Sequence, residues 1–123
     1  MYFLSMKSRS KLVGVNPKLT AIAERAIRLT TVDFQITEGL RSIERQKLMV
    51  ANGRSQTIHS KHLTGDAIDV MALVYGRVTW SFPAYKSIAK AMKTAAVQLE
   101  IDDLYWGGDW ETFKDGPHFQ IGR

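Results

Sequence analysis

Between Asn16 and Thr30, apolar residues recur at Leu19, Ile22, Ala23, Ala26, Ile27 and Leu29. Steps of three and four place them on one face of an amphipathic helix, with Asn16-Pro17 as its start signal. The period then changes to two. Val32-Asp33-Phe34-Gln35-Ile36-Thr37 alternates apolar and polar with branched and aromatic residues, which predicts a strand that ends at Glu38-Gly39. Ser42 is a cap for a second helix running to Ala51, with Asn52-Gly53 as its stop. From Arg54 to Thr64 the chain is polar and rich in Ser, Thr and His, the composition of an irregular loop. Ala67 to Val74 is apolar apart from Asp69 and reads as a strand buried on both faces. Tyr75-Gly76-Arg77-Val78 turns a hairpin toward Trp80, and Pro83 to Leu99 reads as a third helix with Ile88, Ala91, Met92, Ala95 and Leu99 on one side. Leu104 to Trp110 and Pro117 to Ile121 read as a strand, a glycine-rich loop and a short closing strand. The pattern predicts an α+β fold, a small antiparallel sheet packed against about three helices. No repeat, low-complexity segment or linker interrupts it, and 123 residues that are 45% hydrophobic suit one core and one domain.

Asp69 is the exception that points to chemistry, because a carboxylate in an apolar strand needs a partner or a metal. Just before it lies Ser60-Lys61-His62-Leu63-Thr64-Gly65-Asp66-Ala67-Ile68-Asp69, and near the end lies Asp115-Gly116-Pro117-His118. Two histidines and a carboxylate can hold one zinc ion with a fourth position open, the inventory of a hydrolytic metal site. If Asp69 and His118 stand on neighbouring strands about 5 Å apart, with His62 on the loop before the first, three ligands converge. His118 and Gln120 then share one strand face, and Phe119 and Ile121 point into the core. Taken singly, His62 is an ordinary loop residue, His118 a half-buried histidine and Asp69 a hydrogen-bonded carboxylate. Together, in a chain with only three histidines, they favour a site. His59, the third, is assigned to the rim. Asp115 precedes His118 by three residues across a Gly-Pro turn, from which a carboxylate can face a reacting water. Arg41, after the first strand, is a weaker candidate for holding an oxyanion. Tyr105, Trp106, Trp110 and Phe113 are candidates for a cleft wall, though core packing is the commoner use of such residues.

Composition narrows the function classes. The formal charge is +5 and the sequence pI about 9.6, which suits anionic surroundings such as nucleic acid, membrane surfaces or cell-envelope polymers. The basic residues are scattered, against a dedicated nucleic-acid element. There is no cysteine, so disulfides, thiolate metal sites and cysteine nucleophiles are excluded. Gly107-Gly108 is not followed by the Lys-Ser/Thr of a phosphate loop, and no nucleophile elbow is present. The N-terminus lacks an apolar run of signal-peptide length, and no stretch approaches a membrane span of about 20 residues.

The combination Ser60-x-His62-x-x-Gly65-x-Ala67-x-Asp69 with Asp115-x-x-His118 resembles the zinc D-Ala-D-Ala metallopeptidase superfamily. Within it the chain looks like the phage endolysins that are L-alanyl-D-glutamate endopeptidases. The likeness extends from Val15-Asn16-Pro17 through Glu38-Gly39-Leu40-Arg41-Ser42 and Arg45-Gln46 to Trp106-Gly107-Gly108-Asp109-Trp110 and Pro117-His118-Phe119. The resemblance implies that His62, Asp69 and His118 bind one Zn²⁺, that Asp115 is the catalytic carboxylate, and that Arg41 is the substrate or transition-state arginine. Gln46 matches a recurrent family position and is given a structural role only. Leu40 and Asp115 stand where carboxypeptidase relatives often carry an aromatic residue and a glutamate, and both departures lean toward the endolysin branch.

The activity so implied is metal-assisted hydrolysis of peptidoglycan stem peptides during host cell lysis. The expected arrangement is a single catalytic domain over residues 1–123 with no separate wall-binding domain. A monomer is expected, with no nucleic-acid partner and no stable membrane insertion. Without a signal peptide it is expected to stay in the host bacterial cytoplasm until a separate holin-like permeabilising protein gives it access to the wall. Two other readings stay open from sequence: a D,D-carboxypeptidase that trims terminal D-alanine, and a non-catalytic zinc-containing wall-binding domain. Nucleic-acid binding through the basic surface, which predicts steep salt dependence and no need for metal, ranks last.

Overall fold

The structure, a computed structural model, describes residues 1–55 and 60–123. Among these residues four α-helices, α1 (Met6–Lys11), α2 (Pro17–Leu29), α3 (Ile43–Ala51) and α4 (Phe82–Gln98), accompany a sheet of five strands. The strands are β1 (Asp33–Glu38), β2 (Ala67–Val74), β3 (Arg77–Thr79), β4 (Leu104–Trp106) and β5 (His118–Ile121). Their order is β1-β2-β5-β4, with β3 also on β2, and every pairing is antiparallel. The expected α+β architecture is therefore present, with α1 as an additional short helix.

α2 and α4 form the layer that buries the sheet. From α2 come Leu19, Ile22, Ala23, Ala26 and Ile27, and from α4 Tyr85, Ile88, Ala91, Met92 and Ala95. They meet Phe34, Ile36, Ile68, Val70, Ala72, Phe119 and Ile121 in one core. The phenol of Tyr85 ties the layers together, accepting from the Ala72 amide at 3.2 Å and donating to the Thr79 carbonyl at 2.9 Å. α1 was not anticipated because six residues are too few to show a helical period. It is held by its Ser5 cap and by buried Ser8, whose hydroxyl accepts the Ile36 amide at 3.0 Å and so covers a donor of the edge strand β1.

β2 departs from the expectation of burial on both faces. Ile68, Val70 and Ala72 are buried against the helices, whereas Asp69, Met71 and Leu73 on the other face are only partly covered. On that face Asp69 lies beside His118 of β5. Among its described residues, the segment expected to be wholly irregular contains a 3₁₀ turn, Lys61–Thr64, because the Ser60 hydroxyl caps it at the His62 amide and Gly65 ends it.

Candidate metal centre

Strand register places the first two candidate ligands. Asp69 of β2 lies directly opposite His118 of β5, and both face away from the helices. The 3₁₀ turn before β2 supplies His62, whose carbonyl accepts the Arg41 amide at 2.9 Å and whose position is thereby locked to the chain leaving β1. One donor atom from each of His62, Asp69 and His118 lies within 4.8 Å of the others. His62 Nε2 is 3.4 Å from Asp69 Oδ2, and His118 Nδ1 is 3.3 Å from Asp69 Oδ1. The rings meet edge to face at 5.3 Å.

The remaining ring nitrogens are already engaged. His62 Nδ1 is 2.9 Å from the Gly39 carbonyl, which can only accept, so this nitrogen carries the proton and Nε2 presents its lone pair to Asp69. His118 Nε2 is 2.8 Å from the Gln120 side-chain oxygen, which leaves Nδ1 on the same spot. Two imidazole nitrogens and a carboxylate, converging and largely buried, fit a divalent metal of the zinc type by donor chemistry and by size. In metal-free protein the rings act on Asp69 in their doubly protonated forms: burial works against ionised Asp69, but hydrogen bonds and charges from those forms of His118 and His62 hold its carboxyl well below the usual range. Burial likewise works against protonated His118, and Asp69, together with Gln120 and Asp115, more than offsets it, raising the ring above its ordinary value.

Asp115 sits in the turn before β5. Its amide donates to the Gly107 carbonyl at 3.0 Å and its carbonyl accepts from the His118 amide at 3.1 Å. Burial and the negative charge of Asp69 push its carboxyl up, only partly opposed by His118, His62 and Arg41. Gly107 is needed for this approach, since a methyl there would run into the Asp115 carbonyl and stand 3.1 Å from the His118 Cβ. Arg41 is buried, at 6% exposure. Its Nε and Nη2 donate to Glu38 at 2.7 and 2.6 Å, Nη1 donates to Gln46, and Nη2 points on toward Asp69 at 3.7 Å. Three of its five N–H groups are thus engaged among the described residues. Gln46, completely buried, receives Arg41 and donates to Ser55 at 2.8 Å.

The aromatic group divides. Trp106 is core, stacked between Phe82 and Phe119 with its indole donating to the Gly116 carbonyl at 2.7 Å. Trp110 packs on His118 at 5.2 Å, while Phe113 is exposed. Cavities flank the centre, one of about 340 Å³ beside Glu38, Gly39, Leu40 and Arg45, another of about 360 Å³ beside Tyr105, Trp110, Gln120 and Arg123. His59 lies outside the described residues. Sequence reading gave no role to Glu38, to the Gly39 carbonyl or to the bond between Gln120 and His118. Only the last had a signal, the period of two that puts Gln120 on the histidine's face.

Residues 1–120 match the family model described as phage L-alanyl-D-glutamate peptidase. The chain belongs to that family. It is 36% identical to the L-alanyl-D-glutamate peptidase of Escherichia phage T5 over 94% of this chain and 86% of that one. The crystal structure of the Serratia marcescens L-Ala D-Glu endopeptidase ChiX is 45% identical, covers 97% of this chain and 90% of its own, and superposes with a TM-score of 0.90. The vancomycin-resistance D,D-dipeptidase VanXYg, solved with a D-Ala-D-Ala phosphinate analog, is 17% identical over 87% of this chain and 50% of its own. Its TM-score of 0.54 marks a shared fold between this phage peptidase family and that enzyme.

Proposed function

We propose that this protein is a zinc peptidase that hydrolyses the L-alanyl-D-glutamate bond of peptidoglycan stem peptides, acting as one catalytic domain over residues 1–123. The observation that carries the reading is the convergence of His62, Asp69 and His118 beside Asp115, whose carboxyl burial and Asp69 push up, in a chain of the phage L-alanyl-D-glutamate peptidase family. His62 Nε2, Asp69 and His118 Nδ1 hold the ion. Zinc bound there supplies a Lewis acid and lowers the pKa of a coordinated water.

The chain's own residues account for the proton movements. Asp115, whose carboxyl is raised by burial and by Asp69, takes a proton from the attacking water as its oxygen bonds to the L-alanyl carbonyl carbon. It returns that proton to the D-glutamyl nitrogen as the C–N bond breaks, leaving a carboxylate and a free amine. Arg41 brings a fixed positive charge to the edge of the centre, and the two N–H groups it does not use among the described residues suit an oxyanion. Glu38 and Gln46 hold it in place.

No helix among the described residues is long and apolar enough to cross a membrane. The proposal also has the protein act as a monomer, with a separate holin-like protein opening the route from the host cytoplasm to the wall, as the family resemblance implies. The deciding test is mass spectrometry of products from purified peptidoglycan of the meso-diaminopimelate type, with zinc-loaded and chelated protein side by side. Fragments with a new N-terminal D-glutamate, absent under chelation, are expected. Released D-alanine would reassign the enzyme as a D,D-carboxypeptidase, and no cleavage would leave a binding domain.

A further inference from the structure

The two candidate histidine ligands present different nitrogens, His62 through Nε2 and His118 through Nδ1. A neutral imidazole has one proton, and whichever nitrogen carries it cannot bind a metal. For His62 the Gly39 carbonyl settles the matter. For His118 two acceptors compete: Asp69 Oδ1 at 3.3 Å from Nδ1 and Gln120 Oε1 at 2.8 Å from Nε2. Left to Asp69 alone, the proton goes to Nδ1, the nitrogen the ion needs.

Gln120 faces the ring with its oxygen for a reason visible in the backbone. Its amide nitrogen donates to the Gly122 carbonyl at 2.8 Å, and turning the amide over would set oxygen against oxygen there. Gly122 adopts a φ of +79°, a conformation that favours glycine, and its amide is anchored on the Asp103 carbonyl at 2.8 Å. Gln120 itself is 8% exposed.

We propose that Gln120 is a positioning residue of the metal centre: oriented by the Gly122 carbonyl, it draws the His118 proton to Nε2 and keeps Nδ1 free for the ion. This rests on the reading of His62, Asp69 and His118 as ligands. Groups next to a metal ligand that fix its tautomer typically change metal affinity about 10- to 100-fold when removed.

The test compares wild type with Gln120→Leu and Gln120→Glu. Zinc affinity is measured by competition with a chromophoric chelator, and the His118 tautomer by long-range ¹H–¹⁵N spectra of zinc-free protein at a pH where the ring is neutral. Gln120→Leu is expected to bind zinc about 10- to 100-fold more weakly and to move the proton to Nδ1. Gln120→Glu keeps an acceptor on Nε2 although its second oxygen meets the Gly122 carbonyl, so it is expected to keep the proton on Nε2 and to lose less zinc affinity than Gln120→Leu, separating the role from packing. An unchanged tautomer in Gln120→Leu, or equal losses in both variants, would overturn the proposal. Wild-type protein that takes up no zinc would instead overturn the ligand reading, while the tautomer spectra would still decide the part played by Gln120.

Discussion

Replacing Glu38 by alanine removes the clamp on Arg41, and the structure sets the size of the effect. The Glu38 side chain is 17% exposed and that of Arg41 4%, and two charge-assisted hydrogen bonds join them. Taking away one partner of a buried pair typically costs about 3–5 kcal/mol, because the other charge is left uncompensated. Residual exposure of Glu38, together with the Gln46 bond and Asp69 at 3.7 Å, places this case at the lower end, about 3 kcal/mol. Arg45 also bonds Glu38, but its side chain is 61% exposed and the pair contributes below about 1 kcal/mol. Urea unfolding of metal-free protein reads the loss directly. With a slope of about 1.5 kcal/mol/M, the Glu38→Ala midpoint falls by about 2 M, and the Arg45→Ala midpoint by less than about 0.7 M. A double-mutant cycle with Arg41→Ala should return a coupling of about 2 kcal/mol or more. A Glu38→Ala cost no larger than that of Arg45→Ala would refute the argument that the guanidinium depends on this carboxylate.

Three other outcomes follow from the same geometry. Asp115→Ala is expected to lose about 10²- to 10⁴-fold in turnover while keeping its zinc, whereas His118→Ala should lose the zinc itself; turnover assays and metal analysis on both separate the roles. Gly107→Ala forces the Asp115 turn away from β5, so lower turnover with a lower melting temperature is expected, and a variant equal to wild type in both would show that the turn gives way freely. Metal-free protein is expected to lose stability on acidification below the usual carboxylate range. Burial works against ionised Glu38 and Asp69, but Arg41 and Arg45 lower the first and His118 and His62 lower the second. Their contributions are therefore complete above the unfolded carboxyl pKa and vanish as pH falls through the folded values. His118 has the opposite sign, contributing below the unfolded histidine pKa and fading as pH rises through its raised folded value. Unfolding free energies measured against pH, with Glu38→Gln flattening the acid limb, check the assignment.

Which elements form was legible in the chain, because helix and strand periods are local properties of a few consecutive residues. The steps in Leu19, Ile22, Ala23 and Ala26, and the alternation from Asp33 to Thr37, are set by how side chains leave a helix or a strand. So was the inventory of candidate ligands, since Asp69 is conspicuous in an apolar strand and His62 and His118 are two of only three histidines. Register, facing and charge environment were decided by tertiary structure. Whether Asp69 meets His118 depends on how β2 and β5 slide against each other, and a shift of one residue would turn either ligand to the helical face. That Arg41 is a buried, clamped side chain depends on Glu38 and Gln46 reaching it from separate elements across the turn at Gly39, which no local period encodes. The proton on His118 depends further on Gln120 and the Gly122 carbonyl. Composition names the ligands, but the tautomer that lets one of them bind is a property of contacts made only when the sheet is complete.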